Sequence, residues 1–172
     1  MFSAAMFATL AAVQPPTEKE DLERLQGNWK CIGGNITGKN FGETEAATMG
    51  MTFAFKGDRL QTFVKGQPTL TRSIKLTPHK SPREIDTVNL DPAKPTKGRG
   101  IYALDGDMLQ ICLREDLNGR PGRFAVAEGT NDLLLILRKE KPFAYRRSLV
   151  TQLLGYAVSP VVRAAVVEGQ KK

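Results

Sequence analysis

Cysteine, histidine and tryptophan are scarce in this chain, at two, one and one in 172 residues. Two cysteines are too few for a disulfide scaffold. The lone histidine, His79 in the loop "TPHKSP", forms no His/Cys/carboxylate cluster with metal-ligand spacing, and no serine near it has a nucleophile-elbow context. No apolar run approaches the roughly 18 residues of a membrane-spanning helix. The composition therefore offers no footing for a zinc site, a Ser-His triad or a transmembrane anchor, and no metal and no cofactor are expected. A single domain is the default at this length. The hydrophobic fraction of 41% and charged fraction of 25% are those of an ordinary globular chain.

Basic residues outnumber acidic ones by seven, but the excess is local. Residues 138–172 hold eight Lys/Arg against two Asp/Glu, whereas the other 137 residues hold 17 against 16. The body is thus almost neutral. A duplex-binding domain carries a basic stripe on its folded face, and a single-strand binder adds aromatic platforms. Neither is visible, so no nucleic-acid partner is expected.

What is present is a series of short alternating segments. "PPTEKEDLERLQG" first gives a compact helix signal: Thr17 and Glu20 have capping-box spacing, Leu22 and Leu25 share a face, and Gly27 ends the turn. Strand patterns then fall at 28–36, 49–55, 59–65, 69–77, 83–90, 99–104, 108–114, 123–127 and 133–139, with "TGKN" as a turn and 42–48 as a short helix. "KGD", "KGQP" and "DGD" are hairpin connectors, and in the last of them Asp105 and Asp107 flank Gly106 as turn residues rather than as a catalytic pair. Eight or nine strands in sequential order predict an all-β fold, an up-and-down antiparallel barrel over 17–141. Such a barrel is wide enough to be filled by side chains or to hold one small ligand.

Both ends of the chain differ from this body. Residues 1–16 form an apolar leader, and the length of 1–13 suits the h-region of a secretory signal although no Lys or Arg precedes it. Export to an extracytoplasmic compartment is the expectation, with cytoplasmic residence as the alternative. Residues 142–172 are a basic helical tail, in which Leu149, Val150, Leu153, Leu154, Ala157 and Val158 make one stripe and Ser159-Pro160 starts a second short helix. The tail is expected to pack on its own barrel. Contact with an anionic membrane surface, cover over the barrel mouth, and dimerisation are its other possible roles.

"LQGNWK", "LTRSIKLTPHKSPREID", "GIYALDGDMLQICL" and "LLLILRKE" occur in that order between about 22 and 141. Together they resemble the lipocalin-like domain of unknown function that is abundant in planctomycete bacteria. The resemblance implies a lipocalin-like barrel, often exported, with no catalytic residues. It also implies that the tryptophan of Gly27-x-Trp29 sits at the closed end, with a cation from the last strand packed over it. Arg138 is the candidate for that cation and Lys139 the alternate. The Thr-Asp-Tyr turn of true lipocalins is absent, which leaves the relation at the level of fold. The "GxWxGxG" opening of heme-binding barrels is also broken, because Cys31 stands where its next glycine would be.

Period two assigns the interior. Trp29, Phe53, Phe55, Arg72, Tyr102, Leu109 and Ile111 are the candidate ligand-lining residues, with Trp29 favoured as a structural plug whose N–H needs one partner. Arg72 shares its face with Leu70, Ile74 and Leu76. It has three possible roles: binding a ligand carboxylate or phosphate, pairing with a carboxylate such as Asp86, or extending its head into water. Cys31 falls on the face of Trp29 and Cys112 on the opposite face of its sheet, so two free thiols are expected. The expected function is non-catalytic binding of a small apolar or amphipathic ligand. The alternative is a structural or interaction module with a filled barrel and the tail as its contact surface.

Overall fold

In the computed structural model the described residues are 15–141, apart from 94, 116–118 and 128. The expected leader over 1–16 lies outside them except for its last two residues, and the whole expected tail over 142–172 lies outside them. The chain divides into two units after Glu140, and every element below belongs to the first.

That unit is a mostly antiparallel β structure. It runs α1 (Glu18–Leu25), β1 (Gly27–Ile36), β2 (Lys39–Phe41), α2 (Glu43–Met49), β3 (Met51–Lys56), β4 (Arg59–Val64), β5 (Gln67–Thr77), β6 (Arg83–Asn89), β7 (Lys97–Asp105), β8 (Met108–Arg114) and β9 (Asp132–Lys139). Each strand from β3 to β9 pairs with the next, and β1 pairs with both β3 and β9. Eight strands therefore close into a barrel. Closure gives each of the eight barrel strands a partner on both sides, and short connections keep neighbours in sequence order. At the "DGD" turn Asp105 pairs with Met108, and Gly106 takes the left-handed backbone (φ +52°) that its position requires.

Two segments differ from expectation. Residues 37–40 were expected as a turn, yet Lys39–Phe41 makes a ninth strand outside the barrel, paired with Gly34–Ile36 of β1. The reason is length: β3 pairs only with residues 27–30 of β1, so the far end of that edge is free to take another strand. Conversely, 123–127 is not a strand. The closed barrel has no edge left for it. It runs instead as a strap, with Pro121 buried and Cys112 Sγ lying 4.0 Å from the carbonyl oxygen of Ala125.

Period-two alternation fills the interior. Leu109 faces Leu137, Ile111 faces Leu135 and Leu113 faces Leu133 across β8 and β9. Tyr102 faces Ile111 and Leu104 faces Leu109 across β7 and β8. A bulge between Cys31 and Gly33 interrupts this alternation in β1. On β7 two glycines face inward opposite bulkier partners, Gly98 against Thr87 and Gly100 against Ile85. A Cβ at Gly100 would lie 2.6 Å from Leu113 Cδ2 and closer still to the carbonyl oxygen of Cys112. Gly100→Ala should therefore cost about 1–3 kcal/mol through overpacking. Gly122→Ala, where a Cβ meets nothing within 4 Å, should change stability by less than about 0.5 kcal/mol. Urea denaturation of the two variants checks this pair, and equal midpoints would contradict the packing described.

Candidate functional site

The two ends of the barrel have different chemistry. One is closed by α1. Thr17 caps this helix: its Oγ1 accepts from the Glu20 backbone N–H (3.3 Å), while Glu20 Oε2 accepts from the Thr17 backbone N–H (2.7 Å). The second bond favours the ionised carboxylate and holds Glu20 below its ordinary value. Asp21 and Leu25, one helical turn apart, face inward. Asp21 is fully buried, and its carboxylate accepts from Tyr102 Oη (2.6 Å), Arg83 Nη1 (2.9 Å) and Arg24 Nη1 (3.4 Å). Such a charge is tolerable only because it is paired and hydrogen-bonded. Glu18 adds an acceptor for the Leu76 backbone N–H at 2.9 Å.

Trp29 is buried completely beside this helix. Its Nε1 donates to the carbonyl of Leu25 (2.7 Å), which satisfies the indole, and Phe55 meets the ring edge-on at 6.3 Å. The cation over the indole is Lys139 and not Arg138. Lys139 Nζ lies 5.3 Å from the ring centroid and donates to the Arg24 carbonyl at 2.6 Å. Arg138 points away and pairs with Glu43 at 3.5 Å, with both side chains more than half exposed. Strand parity is the cause: Leu133, Leu135 and Leu137 face inward, so 139 does and 138 does not.

All seven candidate lining residues are buried. Trp29, Phe53, Phe55, Tyr102, Leu109 and Ile111 belong to one apolar cluster with Leu60, Ile74, Leu76, Ile85, Leu104, Leu113, Leu135 and Leu137. The low accessibility of so many contiguous apolar side chains marks a packed interior. Within this cluster, burial and the adjacent Asp21 carboxylate push the Tyr102 phenol far above its ordinary value of 10.0.

Arg72 is the exception, because it lies in the polar half of the interior. It faces Leu60 of β4 and Asn89 of β6. It is 8% exposed, and its Nη2 donates to the carboxylate of Glu115, just beyond β8. Asp86, the carboxylate considered for it from sequence, is on the outer face and pairs with Arg120 at 2.7 Å. Thr87 lies near the guanidinium: a Cβ built on Gly98 would stand 2.6 Å from Thr87 Oγ1 and 3.8 Å from Arg72 Nη1. Both Arg72 Nε and Thr87 Oγ1 are buried with no hydrogen-bond partner among the described residues. Along β5 and at the end of β6, Pro68, Thr69, Leu70, Thr71, Asn89, Leu90 and Asp91 line a hollow of about 330 Å³, which neither Arg72 nor Thr87 borders.

Sequence reasoning missed Asp21 and Glu115. Asp21 had a readable signal, since it stands four residues before Leu25 on the helix face that also carries Leu22. Glu115 had none, because its contact with Arg72 spans 43 residues and depends on barrel curvature. The two cysteines are free and buried, and their faces differ as expected: Cys31 belongs to the interior cluster and Cys112 does not. His79 is exposed in the turn after β5. Among the described residues no group of three or more His, Cys, Asp or Glu is placed to hold a metal ion, and none of their helices is long and apolar enough to cross a membrane.

No family model matches the chain, and neither does any curated protein or solved structure.

Replacing Asp21 by Ala leaves the Tyr102 hydroxyl and the Arg83 guanidinium without their acceptor. It should cost about 3–5 kcal/mol, against about 0.5–1.5 kcal/mol for Tyr102→Phe. Urea unfolding of both variants measures the difference, and a mild Asp21→Ala would contradict the network.

Alkaline pH tests the thiols. Burial raises Cys31 and Cys112 above their ordinary 9.0, with Asp132 adding to the rise at Cys112. The folded chain therefore holds these protons after the unfolded chain has released them. Stability should be level below that ordinary value and fall as pH climbs above it, by up to about 1.4 kcal/mol per pH unit for each thiol. Cys31→Ala with Cys112→Ala should flatten the fall below pH 10.0 and leave the part above it that the raised Tyr102 phenol causes, as followed by thermal unfolding from pH 8 to 11.

Proposed function

We propose that the chain is a non-catalytic lipocalin-like barrel that binds a small amphipathic molecule at its open end instead of enclosing it. The observation that carries this reading is the hollow of about 330 Å³ bordered by Asn89, the register partner of Arg72, in a barrel whose interior is a packed apolar cluster. A volume of this size is at the lower end of small-ligand sites. Apolar walls from Pro68, Leu70 and Leu90 and polar groups from Thr69, Thr71 and Asn89 suit a molecule with one end of each kind. Kinship with the planctomycete lipocalin-like domain, and export, are part of the same proposal. They are supported by the ordered motifs and by the apolar stretch over 1–13. The non-catalytic character is supported by the buried acids, since Asp21 and Asp132 are both held by arginines as structural partners.

One observation favours a second reading. The filled interior would equally serve a rigid interaction module whose contacts lie on its surface or in its tail.

Native mass spectrometry of freshly purified full-length protein, joined to amide NMR with decanoate and decan-1-ol, separates the two. The binding reading expects an adduct removed by denaturation, or saturable shifts confined to 68–72 and 89–91, with Trp29 emission unchanged because the indole lies at the other end. A clean mass with no saturable shift from either probe would favour the interaction module.

A further inference from the structure

We infer that the ligand is a carboxylate, that Arg72 is its anchor, and that Glu115 is the internal carboxylate which the ligand displaces from it. This rests on the open-end reading above. Its basis is the difference between two arginines of the same end of the barrel.

Arg114 stands at the end of β8 and is matched completely. Its Nε donates to Asp132 Oδ1 at 2.6 Å and its Nη2 to Asp132 Oδ2 at 2.8 Å, which is the paired, side-on geometry that planar guanidinium and carboxylate groups favour. Asp132 is buried and belongs to β9, its Cα register partner being Arg114 itself. That pair is built into the ladder.

Arg72 presents the same Nε/Nη2 edge and fills only half of it. Glu115 takes Nη2 through one oxygen, and Nε, although buried, meets no acceptor among the described residues. A buried guanidinium loses hydration that such a bond would replace, so the unmatched donor is costly. Its partner is also poorly secured. The Glu115 side chain is 43% exposed, against 10% for Arg72, and it lies just outside β8. The exposed half of the pair can leave for water without breaking a strand. A carboxylate arriving from solvent could place one oxygen on Nη2 and the other on Nε, restoring the geometry seen at Arg114.

The surroundings fit that exchange. The inward position across from Thr87 is Gly98, where a Cβ would collide with Thr87 Oγ1 and crowd the Arg72 head. Glycine keeps that space for the guanidinium and the hydroxyl. Thr87 is 1% exposed and its Oγ1 has no partner among the described residues, so its O–H is a further donor near the head. Leu70, two residues from Arg72 on the same strand face, and Asn89, its register partner, both border the hollow. A ligand that joins Arg72 to the hollow would place its carboxylate on Arg72 and pass its carbon chain by Leu70 and Asn89 into that hollow, which Arg72 itself does not line.

Isothermal titration calorimetry of the full-length chain with decanoate, decan-1-ol and acetate tests the assignment. Decanoate should bind, decan-1-ol at least about tenfold more weakly, and acetate weaker still because it leaves the hollow empty. Glu115→Gln removes the competing carboxylate while keeping the side chain's size, and should tighten decanoate about threefold to fivefold. Arg72→Gln should abolish the preference for decanoate over decan-1-ol. Because Arg72→Gln could unfold the barrel, the gain in Glu115→Gln is the decisive variant. Equal affinity for decanoate and decan-1-ol would overturn the carboxylate anchor while leaving open-end binding intact. Unchanged or weaker decanoate binding by Glu115→Gln would overturn the displacement. Acetate binding as tightly as decanoate would overturn the role of the hollow. Heat from none of the three probes would overturn the open-end reading together with this inference.

Discussion

The closure of β1 onto β9 around one buried indole is the constraint from which the rest of the structure follows. Trp29 lies where the two ends of the barrel wall meet, since its register partners are Phe53 on one side and Lys139 on the other. It also bonds to Leu25, the last residue of the helix that covers this end. One side chain thus ties the first strand, the last strand and the cover together. Complete burial of so large an apolar group contributes on the order of 1.5–3 kcal/mol. Its more important effect is to fix the register at which the sheet closes, because a one-residue slip would turn every interior residue outward.

A closed end of this kind divides the interior. Asp21, Arg83 and Tyr102 form a compact polar network beneath α1, followed by a densely packed apolar middle. Polarity returns only at the far end, with Arg72, Thr87 and Asn89. The closed-end network is fully satisfied, as structural polar groups are. At the far end Arg72 Nε and Thr87 Oγ1 have no partner among the described residues. That contrast makes the far end the place to look for function, and it does so without any enlargement of the barrel. The outside contributes as well: Arg120 donates to the Ile85 carbonyl at 3.1 Å and pairs with Asp86, pinning the strap after β8 across the outer face of β6 and β7.

Much of this was legible in the sequence, because alternation with period two survives in nearly every strand. The antiparallel barrel, its sequential strand order and the inward direction of Trp29 and Arg72 follow from that pattern, and the capped first helix from the spacing of Thr17 and Glu20. The errors have separate physical causes. The 123–127 segment alternates like a strand, but a closed sheet offers it no edge. Residues 39–41 look like turn, but β1 is longer than its pairing with β3 and leaves hydrogen-bonding groups to satisfy. Lys139 takes the place given to Arg138 because parity outranks residue type, a rule the inward leucines of β9 already contained. The partner of Arg72 was not legible at all. A contact between β5 and a residue past β8 is set by how the wall curves, which no local window records.

Acrylamide quenching of the fluorescence of Trp29 tests the central claim most directly, because no other tryptophan contributes to the signal. A buried indole bonded to Leu25 and covered by Lys139 should emit at short wavelength and resist the quencher until the chain is unfolded in urea. Quenching in the folded protein as efficient as in the unfolded chain would contradict the closure on which this account stands.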